Sequence, residues 1–197
     1  MLPQSEDPCP SVSGRATTSP EYTPEERRLL LKLAHEAILS RLKPRHHSPF
    51  TPSPHLAELR GVFTTLYLDK KLRGCVGYPA AIAPLYRAVM ETAQAAAFDD
   101  PRFPPLEINE ASGIKISLSV LSPLAPISPA EIEVGQHGLV ISAGGCRGLL
   151  LPQVPVERGW DRNTFLEQTC RKAGLSANAW HSGAKIEAFT AEVFSDD

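Results

Sequence analysis

The sequence predicts an α+β fold, with mainly antiparallel sheets and helices inserted between their strands. Three observations predict it. Apolar residues recur at helical spacing in three separate stretches. Between them, runs of β-forming residues are joined by short turn signals, the pattern of hairpins. No G-x-G-x-x-G string and no phosphate-binding loop occurs, which argues against a parallel nucleotide-binding sheet. The 197 residues are 42% hydrophobic, enough to build a core in one domain or in two small ones wrapped together.

Residues 1–22 are rich in Pro, Ser and Thr and poor in large apolar groups. Such a stretch cannot bury enough surface to offset its ordering entropy, so it is expected to be a disordered tail, with the folded domain spanning 23–197. Order begins at Thr23-Pro24-Glu25-Glu26, where Thr23 can cap, Pro24 suits the first helical position and Glu26 completes a capping box. Leu30, Leu33, Ala34, Ala37 and Ile38 then follow helical spacing up to the break at Pro44. The Pro-rich segment from Pro44 to His55 reads as a surface loop in which His46, His47 and His55 are solvated.

Gly61 to Leu68 and Leu72 to Tyr78 read as two strands of a hairpin turning at Asp69-Lys70-Lys71. A helix runs from Pro84 to about Phe98, and its many alanines allow a close approach to whatever it packs on. Ile114, Ile116, Leu118 and Val120 alternate with polar residues as a one-faced strand. Short strands are expected at Ile132–Val134, Leu139–Ser142 and Gly148–Leu151. A helix follows from Arg162 to Ala173, closed by Gly174. A last strand runs unbroken from Ile186 to Phe194.

The formal charge of −2, from 20 basic and 22 acidic residues, gives no pull toward nucleic acid or an anionic membrane. No apolar run is long enough to cross a bilayer, and the first residues do not form a secretory signal, so a cytoplasmic location is expected. Cys9, Cys75, Cys146 and Cys170 lie far apart with no C-x-x-C pair, so free thiols are expected, with neither a metal site nor a cofactor.

Arg73-Gly74-Cys75 is the strongest local site for chemistry. On a regular strand Arg73 and Cys75 share a face, and a cation beside a thiol favours its nucleophilic form. Gly74 lets a second backbone or a ligand approach the other face. The alternative is a core thiol beside an arginine paired with a buried carboxylate. A cysteine nucleophile needs a base; His137 is the best placed, though it also suits a turn-capping role. Glu91, on the alanine-rich helix, is either the partner of Arg73 or an exposed carboxylate. Thr64 and Thr65 lie on the neighbouring strand, and one of them can face Cys75, depending on register. Gln153, at the end of an apolar strand, can bind a ligand or tie down a loop.

Several strings occur together: Leu72-Arg73-Gly74-Cys75-Val76-Gly77, Asp100-Pro101-Arg102-Phe103-Pro104-Pro105-Leu106, Ile116-Ser117-Leu118-Ser119-Val120-Leu121, Gly135-Gln136-His137-Gly138-Leu139 and Gly148-Leu149-Leu150-Leu151-Pro152-Gln153. In order and spacing the chain resembles the AMMECR family from about Glu25 to Phe194, in particular the bacterial AmmeMemoRadiSam system protein A group. The resemblance implies two interleaved α+β subdomains, each with an antiparallel sheet. It also implies Memo-type and radical-SAM proteins as partners, and it names no reaction. Three functions follow as expectations: a small-ligand site at Leu72–Gly77 with a Cys75-dependent reaction, a non-catalytic protein-interaction module, and, least supported by the charge, nucleic-acid binding.

Overall fold

The computed structural model describes residues 20–43 and 51–196. The tail through residue 19, with Cys9, falls outside that range, as do His46, His47 and residue 197. Helix α1 spans Pro24–Leu42 and starts as its sequence dictates: Thr23 Oγ1 accepts the Glu26 N–H (3.2 Å), and the Glu26 carboxylate accepts the Thr23 N–H (3.0 Å). Packing begins one residue earlier. Tyr22, grouped by composition with the tail, is only 1% exposed, because its ring stacks on His55 (4.7 Å) and meets Phe194. His55 is therefore not a solvated loop histidine; its Nδ1 also lies 2.9 Å from Glu26.

The fold has two lobes, each built on a four-stranded antiparallel sheet. In the first lobe the strands are β1 (Val62–Leu68), β2 (Lys71–Tyr78), β3 (Ile114–Leu121) and β8 (Ala191–Ser195), in the order β2-β1-β3-β8. The β1–β2 turn places Asp69 and Lys70 at positive φ (50° and 63°), the backbone that matches strand twist in a tight hairpin. One face of this sheet is buried under α1 and α2 (Leu85–Phe98). Val62, Leu66, Ile116 and Leu118 fill that core with Leu30, Ile38, Leu85 and Val89.

The second lobe carries β4 (Ala125–Pro126), β5 (Gly138–Ala143), β6 (Cys146–Leu150) and β7 (Lys185–Phe189), in the order β4-β7-β5-β6, together with α3 (Gln153–Glu157) and α4 (Arg162–Lys172). Leu139, Ile141, Phe165, Leu166 and Cys170 form its core. A third, smaller cluster of Leu121, Val140 and Phe189 joins the lobes.

Two expected strands are corrected. Ile132–Val134 is not a strand: Ser128 caps a single turn at Pro129–Glu131, and the Ile132 carbonyl is taken by the Arg162 side chain (2.7 Å) instead of a neighbouring strand. The last strand is not continuous. It breaks at Thr190, so that β7 belongs to the second sheet and β8 to the first. At the break the Ser122 N–H bonds the Thr190 carbonyl (2.9 Å) and the Thr190 N–H bonds Ser122 Oγ (3.0 Å), tying together the two places where the chain passes between lobes.

α2 lies directly against the backbone of β2. A Cβ on Gly74 would overlap the Ala96 carbonyl oxygen, so only glycine allows the helix to lie this close. Replacing Gly74 with Ala is expected to lower stability by about 3 kcal/mol in urea unfolding. Gly113→Ala, which would press on the flexible end of Leu68 and touch the Glu110 carbonyl at ordinary contact distance, is expected to cost under about 1 kcal/mol.

Candidate functional site

Strand register decides which side chains share the uncovered face of the first sheet. Thr65 lies opposite Cys75 on β2 and opposite Ser117 on β3, and Ser117 lies opposite Ser195 on β8. Cross-strand partners point to the same face, so Cys75, Thr65, Ser117 and Ser195 form one row across all four strands. Thr65 Oγ1 donates to Cys75 Sγ at 3.4 Å. The row sits on the floor of a cleft of about 1120 Å³, whose opposite wall is Gln136, Leu151, Pro152, Gln153 and Val156 of the second lobe. Cys75 is half-buried there, while Cys146 is exposed on its turn and Cys170 is buried. Burial pushes the Cys170 thiol pKa up.

β2 is an edge strand, and its edge is closed at Cys75. The Cys75 N–H donates to Asp100 Oδ2 (2.9 Å), and Arg102 Nη2 donates to the Cys75 carbonyl (3.4 Å). Asp100, 5% exposed, also accepts from the Arg102 backbone and guanidinium. Burial pushes its carboxyl pKa up, but the Arg102 side chain, the two backbone N–H groups and the Arg102 charge outweigh it and hold the group at about 2. The Asp100-Pro101-Arg102 string is thus a clamp on the backbone of the thiol-bearing residue.

Arg73 does not share the cleft with Cys75. The β1–β2 register shifts between Leu66 and Tyr67: Leu66 faces Gly74 and Tyr67 faces Leu72, leaving Arg73 as the extra residue of a bulge. Its guanidinium turns to Glu110, with Nε 2.8 Å from Oε1 and Nη2 2.9 Å from Oε2, and donates to the carbonyls of Pro104 (2.9 Å) and Pro105 (3.4 Å). Those bonds lower the Glu110 carboxyl pKa and raise that of Arg73. Arg73 thereby anchors the chain that follows the Asp100 clamp.

The AMMECR1 family pattern fits residues 31–194, which takes in the clamp, Cys75, Thr65 and Ser117 of the row, and both sheets up to Phe194. The chain belongs to the AMMECR1 family. It is 46% identical to Protein MK0488 of Methanopyrus kandleri, covering 90% of this chain and 91% of that one. It is 42% identical to Protein PH0010 of Pyrococcus horikoshii, covering 85% and 88%. The crystal structure of the uncharacterised protein PH0010 superposes with a TM-score of 0.71, over 86% of this chain and 90% of that one.

The other residues singled out in this AMMECR1 domain separate clearly. Thr64 is fully buried on the helix side, its hydroxyl 2.8 Å from that of Thr92, so Thr65 is the threonine that faces Cys75. Gly74 admits a backbone, that of α2, and not a ligand. Glu91 does not pair with Arg73; it accepts from Tyr78 Oη (3.0 Å) and Arg87 Nε (2.7 Å). Gln153, the first residue of α3, reaches the Cys75 cleft. His137 does not: its Nδ1 accepts the Glu133 N–H (3.0 Å), fixing a turn, and it lines a separate recess of about 180 Å³. The sequence reading missed Glu110, because nothing local links it to Arg73, 37 positions away. It also missed the Ser117–Ser195 half of the row, which exists only once β3 and β8 pair.

Asp100 supplies a pH test. A carboxyl with a depressed folded-state pKa stabilises the fold above its ordinary value of 3.8 and loses that contribution as pH falls toward about 2. Asp100→Asn is expected to flatten this part of the acid-unfolding curve, followed by circular dichroism. Arg73→Ala, which takes the guanidinium from Glu110 and from two carbonyls, is expected to cost about 2–3 kcal/mol in urea unfolding.

Proposed function

We propose that this AMMECR1 domain binds a small polar ligand in the cleft between its lobes, against the Cys75–Thr65–Ser117 row, with Cys75 as the group able to react covalently. The observation that carries this reading is a half-buried thiol, clamped through its backbone and contacted by a hydroxyl, at the floor of a cavity large enough for a ligand. Thr65, Ser117 and Gln153 supply donors and acceptors that orient the ligand. Asp100, Arg102 and Arg73 are positioning residues. Among the described residues no histidine lines this cleft, so binding leads and covalent chemistry rests on Cys75 alone.

Membership of the AmmeMemoRadiSam protein A group, with Memo-type and radical-SAM proteins as partners, belongs to the same proposal. Its support is the Leu72–Gly77 and Asp100–Leu106 strings; the relatives described above are archaeal, and their names carry no activity.

The alternative is an interaction module in which Cys75 stays an unreactive thiol. Iodoacetamide labelling in a Cys9→Ser, Cys146→Ser background separates the two. Cys75 is expected to be alkylated at least about tenfold faster than Cys170, read by mass spectrometry. Equal rates for the two thiols would remove Cys75 from the proposal.

A further inference from the structure

Pro20 and Glu21, the first residues described, line the mouth of the cleft. Their position is fixed. The Glu21 N–H donates to Glu192 Oε2 on β8 (2.6 Å), the Glu21 carboxylate pairs with Arg60 (2.5 Å), and the Tyr22 ring stacks on His55. The residues ahead of Pro20 therefore start beside the outer edge of β8, at the opening. They carry one thiol, Cys9, eleven positions before Pro20. Three further thiols are described. Cys75 is half-buried on the cleft floor, Cys146 is exposed on the β5–β6 turn, and Cys170 is buried in the second core. A path from the opening, round β8 and over the three strand spacings to β2, is about 25–30 Å long. Eleven residues of chain span up to about 36 Å. The connecting sequence suits the walls. From Pro10 to Ser19 it holds one charge, Arg15, and no aromatic ring. Ser117, Ser119, Gln136 and Gln153 line the cleft with hydroxyls and amides, neutral groups that can meet backbone N–H and C=O.

We propose that Cys9 and Cys75 of one chain form a redox-controlled disulfide, which draws the residues ahead of Pro20 over the Cys75 row and closes the cleft to its ligand. This is a regulation of the ligand site proposed above and rests on Cys75 being reachable there. The oxidant is a low-molecular-weight disulfide such as oxidised glutathione. The Cys75 thiolate attacks one sulfur of that disulfide; a mixed disulfide forms and one glutathione thiolate leaves. The Cys9 thiolate then attacks the Cys75 sulfur, which makes the Cys9–Cys75 bond and releases the second glutathione. Two electrons and the two thiol protons pass from the protein to the oxidant, and excess reduced glutathione reverses both steps. Exchange of this kind needs a thiolate and no paired base, which suits a cleft lined by no histidine among the described residues. Thr65 Oγ1, donating to Cys75 Sγ at 3.4 Å, favours that thiolate.

The test is oxidation of the full wild-type chain with oxidised glutathione, then digestion and mass spectrometry without reduction. A peptide pair joined through Cys9 and Cys75 is expected, at least about tenfold over the Cys9–Cys146 pair, because the tether concentrates Cys9 at the cleft. Diluting the protein is expected to leave that yield unchanged, as a bond within one chain requires. The oxidised chain is expected to lose iodoacetamide reaction at Cys75 and to regain it with dithiothreitol. In Cys9→Ser, oxidation is expected to stop at Cys75 carrying one glutathione. Deleting residues 12–17 keeps both thiols but leaves about 17 Å of chain between Cys9 and Pro20, too little for the path. The Cys9–Cys75 bond is then expected to fall at least about tenfold. Cys9 joined mainly to Cys146, disulfides only between chains, wild-type oxidation that stops at glutathione on Cys75, or a bond undiminished by the deletion overturns the proposal. If Cys75 labels fast in the Cys9→Ser, Cys146→Ser background while wild type forms no Cys9–Cys75 bond, this latch is removed and the ligand cleft stands.

Discussion

The first lobe is organised by the contact of α2 with the backbone of β2. Because Gly74 has no side chain and Ala96 has the smallest, the helix settles directly on the sheet. That contact decides which face is core. Val62, Thr64 and Leu66 go under the helices, and alternation sends Phe63, Thr65, Tyr67 and Cys75 to the other side. The exposure of the thiol is thus a by-product of how tightly its neighbour is packed. A glycine one residue before a cysteine serves both ends, closing one face and leaving the other for the second lobe to wall.

Much of this fold is legible in the sequence where the signal is local. The Thr23–Glu26 capping box, the β1–β2 hairpin and the stop at Gly174 each depend on residues within a few positions of one another. What is not legible depends on distant partners or on backbone irregularity. The alternation from Ile186 to Phe194 continues through Thr190 without a glycine or proline, so periodicity has no means of seeing one strand change sheets there. A bulge at Arg73 inverts the expected pairing of Arg73 with Cys75, and Glu110, which the turned guanidinium meets, lies in another part of the chain. The choice between Thr64 and Thr65 waits on a register that one residue of slip would reverse.

The candidate site shows the same division. Its motif residues were prominent in the sequence, but the structure redistributes their roles. Arginine, glycine and aspartate build and hold the strand, and the cleft-facing groups are the thiol and hydroxyls contributed one per strand. Serines alternating with apolar residues on β3 read as an ordinary solvated strand face until β1 and β8 are set beside it. Charge adds little, since the carboxylates of Glu192 on β8 and of Asp196 just beyond it are paired within the chain.

The second lobe is threaded between β3 and β8, so the strand that completes the first sheet is the last to be made. Contacts closing this arrangement join residues more than 160 positions apart: Glu21 and Arg27 with Glu192, and His35 with Asp196. During synthesis the hairpin, both long helices and the entire second lobe emerge before β8 does. A nascent chain can hold three strands of the first sheet under α1 and α2, yet it has no finished cleft. The cleft is therefore completed only late, when β8 docks beside β3 and Glu192 and Asp196 reach Arg27 and His35 of α1.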